Sequence, residues 1–113
     1  MPDLNALAET LDRDLSDFLF PVRMSKPADK QLFAKIEQQA ADIARGLKGQ
    51  SLLPRSVLNS IFIAVRVIQG QIPYQKEGQG ELAEMANKLD WILFLILAGE
   101  SPDDRVPGVP RII

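Results

Sequence analysis

Residues 91–98, which read W-I-L-F-L-I-L-A, constrain the fold more than any other part of this chain. A surface helix normally carries apolar side chains along one stripe, but here two turns would be apolar on every side. The run is also much shorter than the roughly 20 apolar residues that span a bilayer. The pattern therefore predicts a helix end that is covered all round, by the rest of the fold, by the C-terminal segment or by a partner.

Length and composition are ordinary for one globular domain with a sizeable core: the chain has 113 residues, of which 46% are hydrophobic and 25% charged. We expect one helical domain over residues 1–99, followed by a C-terminal tail over residues 100–113. The sequence contains no cysteine and no histidine. This composition excludes disulfides and thiol nucleophiles, and it removes the commonest general base and metal ligand.

Apolar residues at helical spacing, interrupted by glycine and proline, predict an all-α fold of four helices in an antiparallel bundle. The predicted helices cover residues 3–19, 27–48, 54–69 and 80–98. We expect Pro21 to end the first helix, Ser25 to cap the second, and Pro54 to occupy the first position of the third. β-branched residues also permit a strand in the third segment, but no second strand is predicted to pair with it.

The fourth helix is amphipathic in its first half and apolar all round in its second. Its predicted core stripe comprises Leu82, Met85, Ala86, Leu89, Ile92, Leu93, Ile96 and Leu97. The tail that follows contains Pro102, Pro107 and Pro110, which favour an extended, polyproline-like path over a helix.

Charge is segregated along the chain, although the net charge is only −2. Residues 1–20 carry a net charge of −4, residues 21–76 of +6, and residues 77–113 of −4. The basic middle is compatible with a binding surface for an acidic partner, but a modest charge block more often forms a solvated face. The acidic N-terminal stretch does not resemble a secretory leader, so the expected location is the cytoplasm.

Signals for catalysis or ligand binding are weak. Close carboxylate pairs occur at Glu9/Asp12, Asp14/Asp17, Glu81/Glu84 and Asp103/Asp104. Such spacing arises often on ordinary solvated helix faces. Among charged residues, the polar face of the third helix offers only Arg55 and Arg66, which disfavours nucleic-acid binding. We therefore expect no enzyme activity, no catalytic residue, no metal or cofactor, and no nucleic-acid or membrane partner.

Several apolar side chains have no place in the predicted core stripes. They are Phe62 and Ile63 of the third helix and Trp91, Phe94 and Leu95 of the fourth, together with the apolar residues of the tail. Large exposed apolar patches usually mark interfaces, and aromatic side chains are favoured there. The sequence therefore predicts a non-enzymatic helical interaction module that forms a homodimer through these five residues.

Two alternatives to the homodimer remain open. In one, the surplus apolar groups cover one another within the monomer, for example with the tail lying over the fourth helix. In the other, the chain is a cytoplasmic inhibitor or immunity-type protein that binds a larger protein partner through its acidic first helix.

Overall fold

A computed structural model describes residues 3–104 of the chain, and most of these residues are helical. The helices are α1 (Leu4–Arg23), α2 (Lys30–Leu47), α3 (Arg55–Gln71) and α4 (Gln79–Leu97), with short 3-10 turns at Ile72–Tyr74 and Pro102–Asp104. No β-strand occurs within residues 3–104, so the predicted all-α fold of four helices is confirmed. At Pro102–Asp104 a 3-10 turn takes the place of the predicted extended path, and the rest of that prediction concerns residues 105–113, which lie outside the described residues.

The first helix is longer than predicted, because it continues through Pro21 to Arg23. Proline removes one backbone hydrogen bond, but Val22 lies one turn beyond Phe18 on the same stripe and is completely buried. Burial of Val22 offsets the cost of proline near a helix end, where few hydrogen bonds remain to be lost. The prediction that Pro21 ends this helix was therefore wrong.

The start of α2 was also predicted too early, because Asp29 and not Ser25 caps this helix. Oδ1 of Asp29 accepts a hydrogen bond of 3.0 Å from the backbone nitrogen of Leu32. Ser25 lies instead in the connecting loop with a φ of 59°, in the left-handed region of backbone space. Pro54 stands directly before Arg55, the first residue of α3, one position earlier than expected.

Each helix packs against two neighbours, in the order α1, α2, α4, α3 around the bundle. The sequential pairs α1/α2 and α3/α4 run antiparallel, as predicted, but α2 and α3, whose connection is as short as that between α3 and α4, are not neighbours. α2 and α4 run parallel: Lys30 pairs with Glu81 at 3.1 Å near their starts, and Gly49 N donates to Gly99 O at 3.2 Å just beyond their ends. α1 and α3 are consequently parallel neighbours, and α2 and α3 lie diagonally across the bundle.

The core lies between all four helices, each of which contributes completely buried side chains. Examples are Leu11, Ile36, Ile61 and Leu89, one from each helix. Phe18 and Phe33 join α1 to α2, with ring centroids 5.6 Å apart. Within the described range, no helix has the length and apolar character that crossing a bilayer requires.

Candidate interaction surface

Side chains of α1 and α3 border a groove of about 380 Å³ on the surface of the bundle. Its floor is apolar, because Leu15 and Leu19 belong to the buried core. Phe20 of α1 and Ile63 of α3 line the same groove, with 68% and 42% of their surface exposed. Exposed apolar side chains around an apolar floor are typical of a surface that binds another protein.

Helical periodicity explains why the groove is open along α1. Asp12, Ser16 and Arg23 recur at helical spacing and therefore share the side of α1 that faces α3. Ser16 is small, so it leaves space beside the larger side chains around it. Across the groove, Oγ of Ser60 lies within hydrogen-bond distance, 3.0 Å, of Oδ1 of Asp12 on α1 and equally of the Ser56 carbonyl on α3, so its one hydroxyl proton is shared between these two acceptors.

Opposite charges mark the two ends of this groove. Asp12 lies toward the start of α1, and Arg23 is the last residue of that helix. The helical rise separates their Cα atoms by about 16 Å. Arg23 forms no salt bridge with any other residue in the described part of the chain. The groove is thus acidic at one end and basic at the other, and between them apolar side chains lie beside the polar Ser16, Asn59 and Ser60.

The predicted pair on α3 is divided between two surfaces. Consecutive helical residues point about 100° apart, so only Ile63 lines the groove, while Phe62 turns away from it. Half of Phe62 is exposed, and the guanidinium of Arg66 lies 5.9 Å from the centroid of its ring. This distance is within the range of a cation–π interaction. Phe62 therefore does not line the groove.

The predicted residues of α4 form a separate exposed surface. Trp91 and Phe94 are three residues apart and share the outward side of the helix, and both are substantially exposed. Leu97, which was predicted to belong to the core stripe, is exposed as well. The structure therefore does not bring the α4 residues into the groove that contains Ile63.

Leu95 was predicted to lie on the surface, and this prediction was wrong: its exposed fraction is 0%. The chain turns back directly after α4, where Gly99 has a φ of 77° and the backbone nitrogen of Glu100 donates to the Leu95 carbonyl at 2.8 Å. Gly49, just beyond α2, donates in turn to the carbonyl of Gly99. The last turn of α4 is therefore enclosed on the side of Leu95 and open on the side of Leu97.

The acidic turn after α4 is held against the basic end of α2. Arg45 Nε lies 2.9 Å from Asp103 Oδ2, and Lys48 Nζ lies 2.6 Å from Asp104 Oδ1. Lys48 lowers the pKa of Asp104, with help from the backbone N–H of Ser101, and the hydrogen bond that Lys48 donates to Asp104 raises the pKa of Lys48. Asp103 and Asp104 were one of the carboxylate pairs considered for catalysis or ligand binding. In the structure both form salt bridges with α2 and hold residues 101–104 against the bundle.

The remaining carboxylate pairs are exposed, ion-paired or divided. Glu81 pairs with Lys30 at 3.1 Å and Glu84 with Lys88 at 3.6 Å, around a cavity of about 320 Å³ between α2 and α4. Asp14 is buried while its predicted companion, three residues later, is exposed. Within residues 3–104, no three potential metal-ligating side chains of the His, Cys, Asp or Glu type cluster together.

Sequence reasoning missed Phe20, the most exposed large apolar residue of the groove. The reason is the predicted helix end at Pro21, which placed Phe20 in a connection and removed it from the pattern of α1. Had the helix been extended to Arg23, helical spacing would have placed Phe20 outside the core stripe and beside Ser16. Met24, next to the helix end, is exposed as well and was missed for the same reason.

Comparison with known proteins gives no relative from which a function can be transferred. No protein-family model matches the chain. No curated protein and no solved structure matches it either.

Proposed function

We propose that this protein is a non-enzymatic helical interaction module that self-associates as a homodimer through the α1–α3 side of the bundle. The observation that carries this proposal is the apolar groove with Phe20 and Ile63 on its sides, both exposed. Exposed apolar side chains grouped around one depression are typical of a protein-interaction site. A second copy offers the same surface, and closed two-fold dimers are the commonest oligomers.

The dimensions of the bundle are sufficient for such an interface. The accessible surface of the chain is 7288 Å², and a standard stable interface buries about 800 Å² on each partner. α1 alone is about 30 Å long at the helical rise. The outward sides of α1 and α3, which run parallel as neighbours, offer a surface of this order.

The direct test is the solution mass, measured by light scattering coupled to size exclusion over a range of concentrations. The proposal predicts a species of twice the 12.5 kDa chain mass that dissociates on dilution. Phe20→Glu and Ile63→Glu should each shift the protein to monomer, because each places a charge in the apolar part of the interface. Circular dichroism should show unchanged helix content in both variants, since both residues are exposed.

Leu52→Glu is the matched control. Leu52 is also an exposed large apolar residue, but it lies in the α2–α3 connection and not in the groove. This variant should remain dimeric. A wild-type protein that is monomeric at every concentration, or equal loss of dimer in the control, would contradict the proposal.

The alternative is a monomeric inhibitor or immunity-type protein that binds a larger, basic partner. The exposed carboxylates of α1, including Glu9 and Asp17, favour it, because a charged helix face can steer association. A wild-type monomer, combined with binding to a basic protein that weakens steeply with salt, would support this alternative.

A further inference from the structure

We infer that the groove pairs with itself about a two-fold axis that runs α1 of one copy antiparallel to α1 of its partner, so that Arg23 of each chain meets Asp12 of the other. This inference rests on the proposed homodimer and specifies its geometry. The occupant of the groove is therefore a second copy of this chain. The argument uses the charges at the two ends of the groove and the shape of the surface between them.

The charges select the direction of pairing. Asp12 and Arg23 line the same groove at opposite ends, and Arg23 has no acidic partner within residues 3–104. A parallel arrangement would place Arg23 against Arg23 and Asp12 against Asp12, which like-charge repulsion disfavours. In a two-fold antiparallel arrangement, a contact between residues i and j is repeated between j and i. Both ends of the groove then form an opposite-charge pair.

The register that matches the charges also matches the shapes. When Asp12 lies opposite the partner's Arg23, the midpoint of the crossing falls between Asp17 and Phe18 along α1. Phe20 of each copy then lies over Leu15 and Ser16 of the other. These residues form a depression with an apolar wall and a small side chain, into which a protruding aromatic ring can insert. The charge argument does not use Phe20, so this agreement is independent support.

Arg23 can pair with the partner's Asp12 because its guanidinium forms no salt bridge within the described range. Asp12 keeps one oxygen engaged with Ser60, which orients the carboxylate in the groove. A carboxylate that is already positioned loses less side-chain freedom when it binds a second group. The interface then has an Asp12–Arg23 pair at each end and the apolar contact of Phe20 between them. A polar rim around an apolar centre is usual for protein interfaces.

Charge reversal tests the pairing, because a symmetric dimer repeats every change twice. Asp12→Arg places Arg against Arg at both ends, and Arg23→Glu places Glu against Asp. Each single variant should raise the dimer Kd by at least about tenfold. A mixture of the two singles should form a heterodimer with both pairs restored, and the double variant Asp12→Arg/Arg23→Glu should again form a homodimer.

The matched controls are Asp90→Arg and Lys76→Glu. Both residues are exposed outside the groove and form no salt bridge within the described part of the chain. These variants should dimerise like the wild type, alone and as a mixture. Asp12→Arg also loses the hydrogen bond from Ser60, whereas Arg23→Glu loses no side-chain hydrogen bond. Arg23→Glu therefore remains informative if the other variant folds poorly.

Analytical ultracentrifugation of each variant and of the equimolar mixture provides the readout. Recovery of dimer in the mixture, where each single variant alone is weakened, supports the antiparallel pairing. A wild-type dimer that neither single variant weakens, or weakened variants that the mixture does not rescue, would overturn the pairing while leaving the homodimer intact. A monomeric wild type would overturn both the pairing and the proposed function.

Discussion

The side-chain amide of Gln39 donates a hydrogen bond of 2.8 Å to Oδ2 of Asp14 across the buried contact between α1 and α2. Lys35 Nζ lies 3.4 Å from the same oxygen. The hydrogen bond from Gln39 lowers the pKa of Asp14; burial opposes this effect, and Lys35 reinforces it. A charged group is thus retained inside a helix contact because polar partners surround it.

We predict that removing one member of this pair is more harmful than removing both. Gln39→Leu should lower the free energy of unfolding by about 1–3 kcal/mol, because the buried carboxylate loses its neutral donor. Asp14→Leu/Gln39→Leu should cost less than Gln39→Leu, since apolar side chains can pack where the polar pair stood. Urea unfolding of the wild type, Gln39→Leu, Asp14→Leu and the double variant measures this. Additive costs from the two single substitutions would contradict the coupling.

The pH dependence of stability follows from the same carboxylates. Asp14 and Asp104 both have a pKa held below the ordinary value of 3.8 in the folded state. Their ionised forms therefore stabilise the fold above the unfolded pKa, and this stabilisation is lost as the pH falls through the folded pKa. Thermal melting should show stability that is flat near neutrality and declines below about pH 4. In Asp14→Asn the decline should be shallower, because one of these two carboxylates with a lowered pKa is gone.

Replacing Gly70 and replacing Gly49 with alanine should change the stability of the protein in opposite directions. Gly70 lies inside α3, and a Cβ added there meets no atom within 4 Å, so Gly70→Ala should stabilise the protein by about 0.5–1 kcal/mol. Gly49 has a φ of 76°, where an L side chain is strained, so Gly49→Ala should destabilise it by about 1 kcal/mol. Thermal or urea unfolding of both variants shows whether each substitution stabilises or destabilises the protein. A gain in stability for Gly49→Ala would contradict the left-handed backbone conformation of Gly49.

Substituting glutamate for Leu95 or for Leu97, both near the end of α4, should have different effects on folding. Leu95→Glu buries a charge where the native side chain has no exposed surface, and it should cost several kcal/mol and unfold much of the protein. Leu97→Glu, on the exposed side of the same turn, should leave helix content and melting temperature nearly unchanged. Circular dichroism distinguishes the two. A folded Leu95→Glu variant would mean that this side of α4 is not enclosed.

Helical spacing was sufficient to predict the four helices and most of the core. Leu11, Ile36, Ile61 and Leu89 lie at the centres of the predicted stripes and are all completely buried. Such residues are predictable because one stripe of each helix must face the others. The ends were less predictable: at Pro21 the burial of Val22 overrides the local effect of proline.

The candidate surface could be predicted only in part. Ile63 and Phe62 were expected to be exposed because they break the pattern of α3, and both are. In the last turn of α4 every side is apolar, so spacing does not show which side is covered. Which side is covered depends on packing between elements that are far apart in the chain, and there Leu95 is buried while Leu97 is exposed. Leu95 was therefore predicted to be exposed and is buried, whereas Leu97 was predicted to be buried and is exposed.

The central claim, self-association through the α1–α3 groove, is tested most directly by cross-linking from one position. Because the sequence contains no cysteine, a single Ser16→Cys substitution creates one thiol near the proposed two-fold axis. Treatment with a short bis-maleimide should convert this variant to a covalent dimer, while the exposed Ser51→Cys control in the α2–α3 connection should remain monomeric on a denaturing gel. Equal cross-linking at both positions, or none at Ser16, would contradict the account.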